Sequence, residues 1–266
     1  MLRTARPRLS TKSAPKHDRA CSVLVMATVQ LFVTCLVDAF SPQVGEAVVD
    51  LFERLELTVE FPFDQTCCGQ PAFNAGFRDE ARRMAVHTLH VLDATDGTIV
   101  LPSGSCADMI VHHTPELVAD NPGLTEIARR VAVRTRELTT FLADDLGVTD
   151  VGASGEGTCT LHHSCHGLRN LGVKSQPEEL LDNVDGIERV ELAGATECCG
   201  FGGLFALEMP DVSIAMLNEK LDNIEATGAD VIVGGDISCL MHIAGGLHRR
   251  ESAIEVRHIA EMLAEP

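Results

Sequence analysis

Short apolar runs of strand character alternate with longer stretches of helical period along this chain. Residues 28–34, 59–63 and 98–101 form three such runs in the first half, and 158–163, 190–192 and 231–235 repeat them in the second. Between them, Ser41 and Pro42 open a helix whose apolar face is Val44, Val48, Leu51, Phe52 and Leu55. Residues 78–92 form another, and Ile214, Leu217, Leu221 and Ile224 mark its counterpart, with Gly228 placed to end it. A long helical pattern from Leu124 to Leu146, apolar at Ile127, Val131, Leu138, Phe141 and Leu142, closes the first half. Alternating strands and helices predict an α/β fold, two tandem similar parallel-sheet units with flanking helices. The expected division is a first unit over 26–147 and a second over 148–266, with Val148 to Glu156 as the linker.

The division follows an internal repeat of cysteines. In the first unit 31 residues separate Cys35 from the pair Cys67-Cys68, and 37 separate that pair from Cys106. In the second, 32 residues separate Cys165 from Cys198-Cys199, and 39 lead on to Cys239. Glycine follows each pair, at Gly69 and Gly200. Cys21 and Cys159 fall outside the repeat and read as free thiols. Every repeat cysteine follows a strand-like run, so the fold places four thiols at the carboxyl ends of the strands in each unit, where α/β sheets collect ligands.

Adjacent cysteines bond to each other only with strain, and the chain is too long and helix-rich for a small secreted disulfide scaffold. Metal ligation in a reducing, cytoplasmic compartment explains them better. Four thiolates suit an iron–sulfur cluster or zinc. Ligands spread over some seventy residues are unlike the short knuckles of structural zinc sites, and glycines beside the pairs let backbone amides approach a cluster. An iron–sulfur cluster, of the [4Fe-4S] kind and one or two per chain, is therefore expected on Cys35, Cys67, Cys68, Cys106, Cys165, Cys198, Cys199 and Cys239. Zinc in one half is the alternative.

Composition narrows the partners. The formal charge is −18, and Lys occurs only at Lys12, Lys16, Lys174 and Lys220. That acidic balance lacks the basic stripe a nucleic-acid partner needs, and it resembles either salt-adapted or ordinary acidic bacterial proteins. No run is apolar for long enough to cross a membrane. The basic stretch 1–25 (Arg3, Arg6, Arg8, Lys12, Lys16, Arg19) reads as a disordered extension, a transit segment, or sequence ahead of a true start at Met26. Near the thiols, His162, His163 and His166 flank Cys165 closely enough to support its site, with loop or rim positions the first reading. His242, three residues past Cys239, reads as a residue on a helix turn beside the site rather than a ligand. Arg169 faces either an anionic centre or solvent. His112, His113 and His258 read as structural or exposed. No nucleotide, flavin or nicotinamide motif is visible, so a hydride acceptor is expected on a partner.

These blocks carry a resemblance. Residues 31–38, 65–74, 102–106, 164–169, 198–203 and 239–242 together resemble the cysteine-rich CCG-domain family of iron–sulfur proteins, and within it the lactate-utilization branch most. The family includes subunits of heterodisulfide reductase, glycolate oxidase and anaerobic glycerol-3-phosphate dehydrogenase. The resemblance implies an electron-transfer subunit of a multi-subunit complex oxidising L-lactate to pyruvate, an oxidoreductase that needs its partners. Those partners would be a ferredoxin-like iron–sulfur subunit and a third small subunit. It also implies cluster binding by the eight cysteines named above. The wider family often closes its motif Cys-x-x-Cys, and here Ser103 and Asp236 stand at the first of those positions. Four thiols per unit fit a cubane cluster and weaken the heterodisulfide-reductase-like alternative; a non-catalytic zinc-binding module is the third reading.

Overall fold

A computed structural model describes residues 28–266; the expectations for 1–25, and Cys21, lie outside them. In the first unit the order is β1 (Thr28–Leu31), α1 (Cys35–Phe40), α2 (Pro42–Arg54), β2 (Thr58–Glu60), α3 (Gln70–Asn74), α4 (Arg78–Asp93), β3 (Thr98–Leu101), α5 (Gly104–Asp108), α6 (Thr114–Leu117), α7 (Pro122–Arg134), β4 (Thr135–Glu137) and α8 (Leu138–Thr140). The second runs β5 (Ser154–His162), α9 (Cys165–Asn170), α10 (Ser175–Asp182), β6 (Asp185–Val190), α11 (Phe205–Glu208), α12 (Pro210–Thr227), β7 (Val231–Gly234), α13 (Ile237–Arg249), β8 (Glu255–His258) and α14 (Ile259–Ala264). Both sheets are parallel, ordered β2-β1-β3-β4 and β6-β5-β7-β8. The α/β fold with two tandem parallel-sheet units is as the periodicity predicts. Among the described residues no helix is long and apolar enough to cross a membrane.

Two boundaries differ from the expectation. The long helix over 124–146 is broken by β4. Thr135 and Glu137 are buried where β4 pairs with β3, Ile99 opposite Thr135 and Leu101 opposite Glu137. Edge pairing to a sheet already formed outweighs helix period over three residues. Apolar residues on either side keep the period, α7 burying Ala128 and Val131 while Leu138, Phe141 and Leu142 enter the main core. Similarly, β5 begins at Ser154, inside the stretch read as linker. Its pairing with β6 shifts register between Ser154 and Gly157, a bulge that Gly157 permits at φ 104°.

The two units exchange their last helices. α14 packs on α2 of the first unit, and α8 packs on α10 of the second. One apolar core therefore runs between the sheets, from Val29, Leu31 and Phe52 to Leu161, Val233 and Ile259. Smaller cores fill the outer faces, around Leu89, Leu101 and Ile110 in one unit and Leu221, Ile232 and Ile243 in the other. At the strand ends the units touch directly, α5 against α9. Gly104 allows this approach, since a Cβ there would lie 2.9 Å from Gly167 Cα.

Buried caps repeat across this seam. Glu137 caps α8, accepting from the amides of Thr139 (2.8 Å) and Thr140 (3.2 Å). His258 caps α14: Nδ1 accepts from Ala260 N (3.1 Å), so Nε2 carries the proton and donates to Pro102 O of the other unit (3.2 Å). Burial lifts Glu137 to about 7 and holds His258 down at about 4. As pH falls from about 6.5 to 4, the unfolded chain takes up a His258 proton that the fold refuses, and stability drops. As pH rises from about 4.5 to 7, the unfolded chain loses a Glu137 proton that the fold keeps, and stability again drops. The two oppose each other over the shared window. Removing one term with Glu137→Gln should make stability rise more steeply between pH 5 and 6.5 than in the wild type, by on the order of 2 kcal/mol. Urea unfolding at the two pH values measures it, and equal slopes would contradict the assignment.

Candidate metal centre

Each thiol sits where a strand hands over to a helix. Cys35 and Cys165 open α1 and α9, and Cys106 and Cys239 lie in the first turns of α5 and α13. The pairs occupy the loops after β2 and β6. In both loops a left-handed glycine follows the pair, Gly69 at φ 91° as the cap of α3 and Gly200 at φ 89° in the loop ahead of α11. The backs of these glycines rest on equivalent helices: a Cβ on Gly69 would stand 3.3 Å from Ala81 O, and one on Gly200 only 2.6 Å from Ser213 O. Both Gly→Ala variants incur the left-handed penalty of about 1–2 kcal/mol. Gly200→Ala adds a backbone overlap of roughly 1–3 kcal/mol. Thermal unfolding should therefore rank Gly200→Ala well below Gly69→Ala, and the opposite order would refute this packing.

The eight sulfurs gather as two quartets with the same internal order. Cys68 Sγ donates to Cys106 Sγ (3.4 Å), and Cys67 stands close enough to Cys35 and Cys68 for the three thiols to shift one another's titration. Cys165, Cys198, Cys199 and Cys239 form the second quartet and shift one another's titration in the same pattern. One member of each is pushed towards the thiolate form by its neighbours. Hydrogen bonds from Cys35 and Cys68 and the Gly69 amide bring Cys67 to about 3. In the second quartet Cys165, Cys199 and the Gly200 amide (3.4 Å) bring Cys198 to about 2. Hydrogen bonding to Cys67 pushes Cys35 up, and bonding to Cys106 pushes Cys68 up; in the second quartet bonds to Cys198 push Cys165 and Cys199 up. Four soft donors, half of them buried, fit a soft metal ion or iron–sulfur centre in each unit. Loading such a site releases the remaining protons, so affinity falls with acid.

Both quartets line one cleft of about 880 Å³. Its walls are mostly apolar, with Phe77, Leu207 and Ile214 exposed at the mouth. Ile214 thus faces the cleft and solvent, while Leu217, Leu221 and Ile224 of the same helix are buried as expected.

Ser103 and Asp236 meet at the seam. Ser103 caps α5, accepting from Cys106 N (3.2 Å), and Asp236 caps α13, accepting from Ser238 N (3.2 Å). Asp236 Oδ2 also accepts from Ser103 Oγ (3.0 Å) and Ser105 N (2.9 Å), tying the first cysteine loop to the second. Both are 2% exposed and line the cleft beside the thiols, capping the helices that carry Cys106 and Cys239 and joining them to each other.

The histidines sort themselves differently from the sequence reading. His162, expected on a loop or rim, ends β5 and is buried, and burial lowers it to about 3. Its nearest ring nitrogen and the sulfurs of Cys199 and Cys239 all lie within 4.8 Å of one another. His163 is buried too and pairs with Glu178 (3.0 Å). His166 Nδ1 lies 3.6 Å from Cys165 Sγ. His242 lines the cleft, 3.3 Å from Ser213 Oγ and edge-on to Phe201. Arg169 is exposed and does not line the cleft. His112 and His113 face the buried Asp108 and serve the fold, and His258 is the cap described above. Cys159 is buried in the central core, away from the cleft, and burial pushes it up to about 11.

The cysteine-rich domain model of the CCG family matches this chain twice, over residues 29–111 and 159–244, one match on each quartet. The chain belongs to the cysteine-rich CCG-domain family. It is 49% identical to lactate utilization protein A of an Exiguobacterium species over 241 residues, 90% of this chain and 98% of that protein. The proteins of the same name from Bacillus cytotoxicus and Bacillus subtilis are 47% and 45% identical over 235 residues, 88% of this chain and 98% of each. A hypothetical protein from Helicobacter pylori of solved structure shares the fold, with TM-score 0.65 and 9% identity; the match covers 89% of this chain and 48% of that one.

Proposed function

We propose that this chain is the iron–sulfur electron-transfer subunit of a cytoplasmic, multi-subunit system that oxidises L-lactate to pyruvate. The observation that carries the reading is the gathering of all eight repeat thiols into two quartets on one cleft, in a chain close to half identical to proteins named for lactate utilization. Cys35, Cys67, Cys68 and Cys106 would hold one centre, and Cys165, Cys198, Cys199 and Cys239 the other. A bound [4Fe-4S] cluster supplies one-electron chemistry at each. The protein's part is to hold the thiolates, exclude water with the apolar cleft wall, and aim the Gly69 and Gly200 loop amides at sulfur. Because lactate oxidation releases two electrons, two one-electron centres in one chain match the stoichiometry.

The exposed apolar rim at Phe77, Leu207 and Ile214 suits docking to another subunit. A ferredoxin-like iron–sulfur subunit and a third small subunit are the partners proposed here. Ser103 and Asp236 count against a heterodisulfide-type site, since both are committed to helix caps and to each other. The test mixes the anaerobically purified chain with those two subunits and L-lactate. Bleaching of the cluster absorbance that depends on lactate and on both partners supports the reading. Turnover of a disulfide by the chain alone, with no response to lactate, would overturn it.

A further inference from the structure

The two thiol quartets have different surroundings. Three positions ahead of the first thiol of each unit stands the residue that leads off its central strand. In the first unit this is Phe32, fully buried in an apolar cluster with Cys68 and Cys106. In the second it is His162, 2% exposed, and neither of its ring nitrogens has a hydrogen-bond partner. Buried polar side-chain atoms are nearly always satisfied, and an orphaned one costs about 1–3 kcal/mol. The groups within reach of this imidazole are the sulfurs of Cys199 and Cys239, with all three donor atoms inside 4.8 Å. Neutral imidazole is a good ligand for the same borderline metals that thiolates hold. A ligand role would satisfy a nitrogen that the fold otherwise leaves bare.

A second difference lies on the following helix. Lys220 is 1% exposed and donates to Gly194 O in the loop before the second cysteine pair. The equivalent position of the first unit, judged from the matching contacts of Gly69 with Met84 and Gly200 with Met216, is the neutral Thr88.

We propose that His162 is an additional donor to the metal centre at the second quartet, making it a sulfur–nitrogen site while the first is sulfur alone. The proposal rests on reading the quartets as metal centres and goes beyond it by making the two inequivalent. The buried Lys220 ammonium, close enough to the second quartet to feel the charge of Cys198, Cys199 and Cys239, favours the reduced state of that centre, whereas the first has the neutral Thr88 in its place. Electrons entering the chain would settle on the second centre.

The test uses the full chain, labelled with 15N at histidine, stripped of metal and loaded anaerobically with Co2+ alone. Thiolate-to-cobalt absorption reports the metal-centre reading, and a strongly shifted imidazole resonance coupled to 15N reports the nitrogen donor. The wild type and His166→Gln should show both signals. His162→Phe, which copies the first unit, should keep the absorption and lose the resonance. Cobalt–thiolate absorption with no shifted imidazole in the wild type would overturn the proposal and leave the metal reading standing. Survival of the resonance in His162→Phe would overturn it too. Should that variant not fold, loss of the resonance in His166→Gln or His242→Gln would assign it elsewhere and do the same. Absence of any cobalt–thiolate absorption would remove the metal reading and the proposal together.

Discussion

Replacing Cys199 by Ser should empty the second centre, and replacing Cys68 by Ser should empty the first. Each residue is a buried member of its quartet, next in sequence to a second thiol, and Cys68 also bonds to the α5 thiol Cys106 (3.4 Å). A serine hydroxyl there is a hard donor that stays protonated at neutral pH, a poor match for a soft metal. Bound iron and sulfide should fall by about half in either single variant and nearly to zero in the double one. Unchanged metal content in Cys199→Ser would show that the second quartet is inert. Since ligation stabilises only the folded chain, the variants should also melt earlier than the loaded wild type.

The other large effect is expected at Asp236. This carboxylate accepts four hydrogen bonds, from Ser103 Oγ, Ser105 N, Ser238 N and Ser238 Oγ. Asp236→Ala leaves the buried donors of Ser103 and Ser105 bare and removes the cap of α13. Lost caps cost about 1 kcal/mol and stranded buried donors about 1–3 kcal/mol, so a total of roughly 3 kcal/mol is expected. In a chain of this size that lowers the thermal midpoint by about 6–12 °C. Ser103→Ala should cost less, and the double variant less than the sum of the singles, because the two share one bond across the seam. Strict additivity would mean that the units are not joined there.

Much of this was legible from periodicity and spacing. The cysteine repeat marks both quartets because each thiol follows a strand-like run in a parallel sheet, and two nearly matching intervals recur because two similar units fold. The helix from Pro42 and the stop at Gly228 were readable for the same local reasons. What escaped depends on contacts between distant segments. β4 is three residues long and is made a strand by β3, so nothing local distinguishes it from the helical pattern around it. The exchange of α8 and α14 between units leaves no mark in either segment alone. His162 escaped because a histidine beside a cysteine loop looks like a rim residue. Aligning the repeats places it opposite Phe32, and a polar residue at a position apolar in the sister unit was the available signal. Ser103 and Asp236 were visible as departures from the family motif, but their bond to each other was not.

The central claim is that both quartets hold iron–sulfur centres, and elemental analysis tests it most directly. The chain is purified anaerobically, and iron, acid-labile sulfide and zinc are measured on the sample whose visible spectrum is recorded. Equal iron and sulfide, with broad visible absorbance that dithionite bleaches, is the predicted result. Stoichiometric zinc in a colourless protein would contradict it, and the electron-transfer role would fall with it.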